Sequence, residues 1–144
     1  MLSNDILRSL RYTLKANNND MVRILALADM ESISANFDTW TTKEDEDGFV
    51  RCPDIILSGF LNGLIYHLRG KDESAPELAL ERRVNNNTVL KKLRIAFSLK
   101  TDDILAIMTE QKFRVSMPEI TAMMRAPDHK NYRECGDQFL RYFL

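Results

Sequence analysis

The sequence has little of what a membrane protein, a secreted protein or a disulfide-rich domain needs. No stretch of its 144 residues approaches the roughly 18 consecutive apolar residues that a membrane-spanning helix requires. The start, Met1 to Asp5, lacks the basic and apolar regions of a signal peptide. Cys52 and Cys135 are the only cysteines, without the number or spacing of a disulfide framework or a zinc site. We therefore expect a cytoplasmic protein that is held together by a hydrophobic core.

The chain also lacks a strong excess of charge of either sign, with a formal net charge of −1 at pH 7. Residues 1–70 hold 7 Lys or Arg against 10 Asp or Glu, whereas residues 87–144 hold 10 against 7. The mildly acidic and mildly basic halves can attract each other, or the second half alone can meet an anionic partner. We favour attraction within the molecule. Neither half is basic enough to indicate nucleic acid by composition alone.

What is present is a globular composition, 44% hydrophobic and 28% charged, and an internal repeat. Residues 4–11 line up with residues 87–94, and the same displacement of 83 residues continues without a gap up to Leu61 and Leu144. The identical pairs include Asp20 and Asp103, Ile24 and Ile107, Asp45 and Asp128, Cys52 and Cys135, and Asp54 and Asp137. Because the shared feature is mainly an apolar template, the repeat indicates two copies with the same packing.

Each copy is predicted to form four helices. The fold class is therefore all-α, with tandem four-helix modules at residues 1–70 and 87–144 and a linker at residues 71–86. The first helix of each module has an apolar stripe at helical spacing, while Arg8, Arg11 and Lys15 face away from it. The stripe residues are Ile6, Leu7, Leu10 and Leu14 in one copy and Val89, Leu90, Leu93 and Phe97 in the other.

The second and third helices are predicted from capping signals. The second begins after Asn19 or after Thr101, with acidic residues in its first turn. The third starts at Ser34 or Ser116, where residues 116–119 form a capping box. The residues predicted to be buried on these helices are Met21, Ile24, Leu25, Ala28, Phe37 and Trp40 in one copy and Ile104, Ile107, Met108, Gln111, Ile120 and Met123 in the other.

The fourth helix is predicted to start at residues 52–54 or 135–137, with Pro53 suited to the first helical position and Gly70 at the end of the first copy. Two glycines one turn apart, Gly59 and Gly63, favour close packing within the module over a dimer or a seam between modules. The second copy stops at Leu144, so we expect the natural chain to continue for about two more helical turns. The apolar side of the helix is Ile56, Phe60, Leu61, Leu64, Ile65 and Leu68.

The order of the helices resembles the helix-turn-helix layout of repressor-type DNA-binding domains. In the first copy, the acidic loop at residues 43–48 would repel phosphate, whereas the second copy is weakly compatible with it. We favour a helical scaffold that shares only the packing. The candidate face for nucleic acid or another anionic partner is Lys91, Lys92, Arg94, Arg125, Lys130 and Arg133.

No catalytic, cofactor-binding or metal-binding residues are predicted. The two cysteines stand at helix starts, where the helix dipole can lower a thiol pKa, but a small buried residue is the favoured interpretation. Residues 43–54 match a calcium loop in part, yet Lys43 stands where its first carboxylate is required. His67 and His129 have no companions at metal-ligand spacing.

Six segments of the chain resemble a known family. Residues 4–11, 20–25, 48–54, 60–65, 113–116 and 132–137 are similar to the YehS family of Gram-negative bacteria, and the likeness covers the whole chain. The resemblance implies a cytoplasmic protein with two copies of a domain of unknown function. It brings no catalytic or binding residues with it.

The sequence thus favours a non-enzymatic binding or regulatory protein, because no group of acid, base, nucleophile or metal ligand recurs in both copies. A protein-interaction module is the leading hypothesis, and a partner protein, or a second copy of the chain, is the expected ligand. The alternative is a nucleic-acid-binding regulator that uses the second module, and an enzyme comes third. No cofactor and no membrane association are expected.

Overall fold

Every regular element that the structure describes is an α-helix. The structure, a computed structural model, describes residues 1–30 and 37–144. The all-α fold class predicted from the sequence is confirmed. The helices are α1 (Ser3–Leu14), α2 (Asn18–Ala26), α3 (Phe37–Trp40), α4 (Asp54–Arg69), α5 (Asn86–Ala96), α6 (Thr101–Glu110), α7 (Met117–Met123) and α8 (Asp137–Phe143).

The chain divides into two compact units, residues 1–84 and residues 85–144. Residues 78–84, part of the segment predicted as a linker, are bound along α4 of the first unit. The Asn62 side chain donates to the carbonyl of Ala79 at 3.1 Å, and the Ser58 hydroxyl accepts from the backbone N–H of Glu81 at 2.9 Å. The first unit is therefore longer than the repeat within it.

The core of the first unit forms where α2 crosses α4. A Cβ atom on Gly63 would overlap the backbone carbonyl of Ile24, and one on Gly59 would overlap the sulfur of Met30. Only glycine allows this approach, so the close packing predicted within the module is confirmed. The large buried side chains around this crossing include Ile6, Leu7, Leu10, Met21, Leu25, Phe37, Phe60, Leu61 and Leu64.

The second unit buries the matching stripe of its own helices. Leu10 and Leu93, which the repeat pairs, are each at most 2% exposed. Phe113, in the turn after α6, packs edge-on against Phe139 of α8 with 5.7 Å between the ring centroids. The other apolar side chains buried in this unit include Val89, Leu90, Ile104, Met108, Ile120, Met123 and Leu140.

At α2, α5 and α7, the side chain of the residue before the helix accepts a hydrogen bond from a backbone N–H of the first turn. The second helix was predicted to begin after Asn19, but Asn17 and Asp20 form a reciprocal capping box at 2.8 and 2.9 Å, so α2 begins earlier, at Asn18. Thr101 is likewise the first residue of α6 rather than the residue before it. The capping box at Ser116 is confirmed.

Two further predictions concern the third and fourth helices. Ser34, the predicted start of the third helix in the first copy, lies outside the described residues. Pro53 precedes α4 instead of opening it. Gly70 ends α4 as predicted, with a φ of 82° that favours glycine.

Several residues predicted to be buried are exposed or half-buried. Gln111 is exposed because α6 ends at Glu110, and Phe97 is 38% exposed as the residue after α5. Leu68 lies in the last turn of α4 and is 41% exposed. The residues that are half-buried are Leu14, Ala28, Trp40 and Ile107.

Candidate interaction surface

A buried asparagine ties the first helix of each module to the start of its fourth helix. The Asn4 side chain accepts from the backbone N–H of Cys52 and donates to the carbonyl of Val50, both at 2.8 Å. Asn87 repeats both bonds with Cys135 and Arg133, each at 2.8 Å. These side chains satisfy buried backbone groups that water cannot reach. The asparagine is therefore retained in both copies for a structural reason.

The aspartate after each cysteine extends this junction. Asp54 accepts a hydrogen bond from the Ser3 hydroxyl at 2.9 Å, and Asp137 accepts one from the Asn86 side chain at 2.7 Å. Both bonds join the first residue of one helix to the first residue of another. The carboxylates also lie in the first turns of α4 and α8, where negative charge is favourable. The identical aspartates are thus explained by the fold.

The two cysteines are buried within the same junctions. Cys52 is 1% exposed and Cys135 is 5% exposed. Burial, with a smaller contribution from the neighbouring aspartate, raises the pKa of each thiol to about 12. A thiol with this pKa stays protonated near neutral pH, and the thiolate is the reactive form. The lowering of the thiol pKa considered at these helix starts is wrong, because burial raises the pKa instead.

The basic residues predicted as an anionic-partner face lie on α5, at the end of α7 and in the loop that follows. Lys91 and Arg125 are brought together, because the Lys91 ammonium donates to the Arg125 carbonyl at 3.0 Å. The Arg125 guanidinium in turn donates to the carbonyl of Asn131 at 3.1 Å. Arg133 forms an ion pair with Glu119 at 2.7 Å. Three of the six cationic side chains therefore bind groups of their own module.

The other three members of that predicted face are placed as follows. Lys92 and Arg94 are half-buried on α5, and Lys130 is exposed in the loop between α7 and α8. No hydrogen bond described here joins Lys130 to the rest of the set. The members on α5 and the members after α7 are thus linked through the bond between Lys91 and Arg125.

The helix expected to read a DNA groove, α7, is short and carries a carboxylate in its first turn. It has seven residues, and the Glu119 side chain accepts from the Ser116 hydroxyl at 2.8 Å and from the Ser116 backbone N–H. These bonds, together with Arg133, lower the pKa of Glu119, so the carboxylate stays charged. A charged carboxylate at the leading end of a recognition helix would repel phosphate.

Sequence reasoning missed a more exposed surface, the outer face of α1. Tyr12 is 86% exposed there, next to Arg11 in the sequence, and Arg8 and Lys15 lie four and three residues away from it. Arg8 pairs with Asp5 at 3.0 Å, Arg11 donates to the Thr41 hydroxyl at 3.1 Å, and Lys15 is exposed. An open depression of about 750 Å³ is lined by Arg8, Arg11, Tyr12, Thr13, Lys15 and Ala16.

The outer face of α5 repeats part of this arrangement. Ile95 occupies the position of Tyr12 and is 47% exposed, while Lys91 and Arg94 occupy the positions of Arg8 and Arg11. Both modules thus present a large apolar side chain next to two cationic ones. The helical spacing in the sequence contains this signal, but the net negative charge of the first half hides it.

An acidic loop runs beside the first of these faces. Its start is held near α1 by the bond between Arg11 and Thr41, and its end by the bond between Asn4 and Val50. Glu44, Asp45, Glu46 and Asp47 lie between those anchors and are all exposed. No ion pair of these four carboxylates is found within the described residues. The outer surface of the first module therefore carries separate basic and acidic areas.

A second concavity in the first unit lies between the α1–α2 turn and the last turn of α4. It measures about 480 Å³, and Leu14, Ile24 and Leu27 give it a mainly apolar lining. Asp20, Arg23 and His67 stand at its polar part, where Arg23 and Asp20 are 3.7 Å apart. Across residues 1–30 and 37–144, no three His, Cys, Asp or Glu side chains are grouped as metal ligands, and no helix could cross a bilayer.

Comparison with known proteins gives the family of this chain. The family described as protein of unknown function DUF1456 matches residues 3–70 and again residues 86–144, one match for each module. The uncharacterized protein YehS of Escherichia coli (strain K12) is 79% identical over 144 residues, which are 100% of this chain and 92% of that protein. No solved structure matches. The two matched segments and the full-length similarity show that the chain belongs to the DUF1456 family, as a YehS-like protein with two copies of its domain.

Proposed function

We propose that this protein is a non-enzymatic binding protein whose two helical modules recognise a protein partner. The observation that carries the proposal is the outer face of α1, where Tyr12 is 86% exposed among three cationic side chains. Exposed aromatic and arginine side chains are the residue types that supply most of the binding energy in protein interfaces. An aromatic ring left in water among arginines is more simply explained by binding than by folding.

The distribution of charge favours protein over nucleic acid as the partner. The outer face of α1 includes Asp5, which pairs with Arg8, and Asp38, which lies 3.4 Å from Arg11. The acidic loop borders the same face. Surfaces that bind nucleic acid are strongly positive over their whole area, because phosphate contacts dominate the affinity. A surface with some carboxylates and an exposed aromatic ring therefore suits a protein partner better than a nucleic acid.

The roles of the polar residues shared by the two modules support a function without catalysis. Asn4, Cys52 and Asp54, and their counterparts, serve the junction between helices, and the thiols are kept protonated by burial. Asp20 and Asp103 cap α2 and α6. These shared side chains are used by the fold, which favours a function without acid–base or nucleophilic chemistry at them.

The experiment that tests the proposal is capture of partners from bacterial cells with a tagged full-length chain, followed by quantitative mass spectrometry. We expect one or a few proteins to be enriched reproducibly, and enrichment to fall with Tyr12→Ala, because this change leaves the core intact. In parallel, fluorescence titration against random DNA and RNA at low salt tests the rival function. Salt-sensitive nucleic-acid binding without any enriched protein would overturn the proposal.

A further inference from the structure

We infer that the outer face of α1 docks an acidic protein segment that also carries a large apolar side chain. This inference rests on the proposed function and names its surface and the chemistry of its ligand. Four side chains form the docking surface, namely Arg8, Arg11, Tyr12 and Lys15.

The first argument is the exposure of Tyr12. Its ring is 86% exposed, although aromatic side chains gain most when they are removed from water. The core of the first unit is already filled by Leu7 and Leu10 on the opposite side of the helix. The ring therefore adds nothing to the packing of its own unit, and an apolar side chain of a partner can cover it.

The second argument is the arrangement of charge around that ring. Arg8 and Arg11 flank Tyr12 at distances of four and one residues along α1, and Lys15 follows at three. Lys15 is exposed at the end of the helix, where a cation is also favoured by the helix dipole. Asp5 and Asp38 offset part of the charge of the two arginines. The excess positive charge thus lies at the Tyr12 and Lys15 end, and it selects carboxylates.

The third argument is that the second module keeps the same combination on α5. Ile95 replaces Tyr12 as the exposed apolar side chain, beside Arg94 and Lys91. A platform for single-stranded nucleic acid stacks bases on aromatic rings, and isoleucine cannot provide one. A protein ligand needs only apolar contact, which both side chains supply. The ligand that suits both faces is therefore an acidic, partly apolar peptide.

The test uses the full-length chain and a fluorescein-labelled peptide of about twelve residues that combines glutamates with phenylalanine and leucine. Fluorescence anisotropy at low salt measures its dissociation constant. We expect binding that weakens as salt is added, since the charges are solvent-exposed. A peptide of the same design with lysine in place of glutamate should not bind.

Substitutions at two exposed residues test whether the peptide binds at the docking surface. Tyr12→Ala combined with Lys15→Glu should weaken binding about tenfold, because both an apolar contact and a charge contact are lost. The matched control is Arg82→Glu, which makes the same change of charge at an exposed residue of the same unit outside α1. The control should leave the dissociation constant within about twofold of the parent. Circular dichroism confirms that all variants fold.

Three outcomes would overturn the inference. The first is equal binding of the peptide by the parent and the double variant. The second is tighter binding of a single-stranded RNA that Tyr12→Ala abolishes, which would assign the face to nucleic acid. The third is a dimer, measured by sedimentation, that the double variant dissociates, which would make a second copy the occupant. If the double variant still captures the partner found in cells, the surface is wrong while the proposed function stands.

Discussion

The two modules differ most where the fourth helix lies against the second. In the first module, α4 has 16 residues, and its glycines let it cover Ile24, which is 5% exposed. In the second module, Tyr142 of α8 stands at the position of Gly59, and Ile107 at the position of Ile24 is only half-buried. The same residue in the same repeat position thus reaches different burial. Repeat position sets which residue faces the core, but the neighbouring helix sets how much water is excluded.

The modules agree where polar groups hold the ends of helices together. Asn4 and Asn87 make the same two kinds of bond to the loop before the fourth helix. Cys52 and Cys135 are both buried, at equivalent positions of the two modules. Buried polar pairs tolerate little change, since a lost partner leaves an unsatisfied group in the interior. The comparison teaches that the repeat preserves the junction more strictly than the packing of the fourth helix against the second.

The change with the largest expected effect breaks the contact between Gly63 and Ile24 in the first module. Gly63→Ala should lower the free energy of unfolding by about 3 kcal/mol, because the added methyl group forces α4 away from the carbonyl of Ile24. Hydrogen exchange resolved by segment measures the effect and should show it in residues 1–84. The matched control is Gly136→Ala in the second module, where an added Cβ meets nothing within 4 Å. Equal destabilisation by both substitutions would contradict the packing described for α4.

The second test compares the shared junctions directly. Asn4→Ala and Asn87→Ala should each lower the free energy of unfolding by about 2 kcal/mol, because each leaves a buried cysteine N–H without its acceptor. Urea denaturation combined with hydrogen exchange assigns each loss to its own module. Asn19→Ala, at an exposed residue of α2, serves as the control and should have little effect. A neutral result at either buried asparagine would end the structural explanation of the repeat.

A smaller effect is expected at the third helix of the second module. Ser116→Ala removes the cap of α7 and should lower the free energy of unfolding by about 1 kcal/mol. The pKa of Glu119 is lowered by its bonds to Ser116, so the charged carboxylate stabilises the folded state above its ordinary pKa. That contribution should disappear as the pH falls through the lowered pKa. The Ser116→Ala variant should lose less stability over the same pH range. Thermal melts between pH 7 and pH 3 measure both effects, and identical acid profiles would contradict the cap.

The smallest effect at neutral pH concerns the thiols. The pKa of both cysteines is raised from 9.0 to about 12, so folding keeps the protonated thiol. An unfolded thiol ionises above its own, lower pKa, and the associated stability should therefore be lost as the pH rises from 9 towards 12. Cys52→Ala and Cys135→Ala should each reduce this alkaline loss.

A thiol reagent at pH 8 should react with neither cysteine until the chain unfolds, and rapid labelling would contradict their burial.

Much of the fold could be predicted because apolar spacing carries it. The stripe with Leu10 and Leu93, the capping box at Ser116 and the glycine crossing at Gly63 were all visible as local patterns. Helix ends were predicted less well, since Asn17 competes with Asn19 as a cap and only the bond to Asp20 decides between them. The basic face was predicted from charge alone, and charge does not show that the Lys91 ammonium donates to the backbone carbonyl of Arg125.

The sequence by itself determined that this chain forms two all-helical modules with one packing template, because spacing along a helix dictates which residues share a face. Tertiary structure decided which polar groups remain for a partner. Asn4, Cys52 and Asp54 could be assigned to folding only when the bonds between distant segments were seen. Tyr12 became a candidate for binding only when its ring proved to be exposed. The physical reason is that burial depends on which elements meet in space, and no local pattern contains that information.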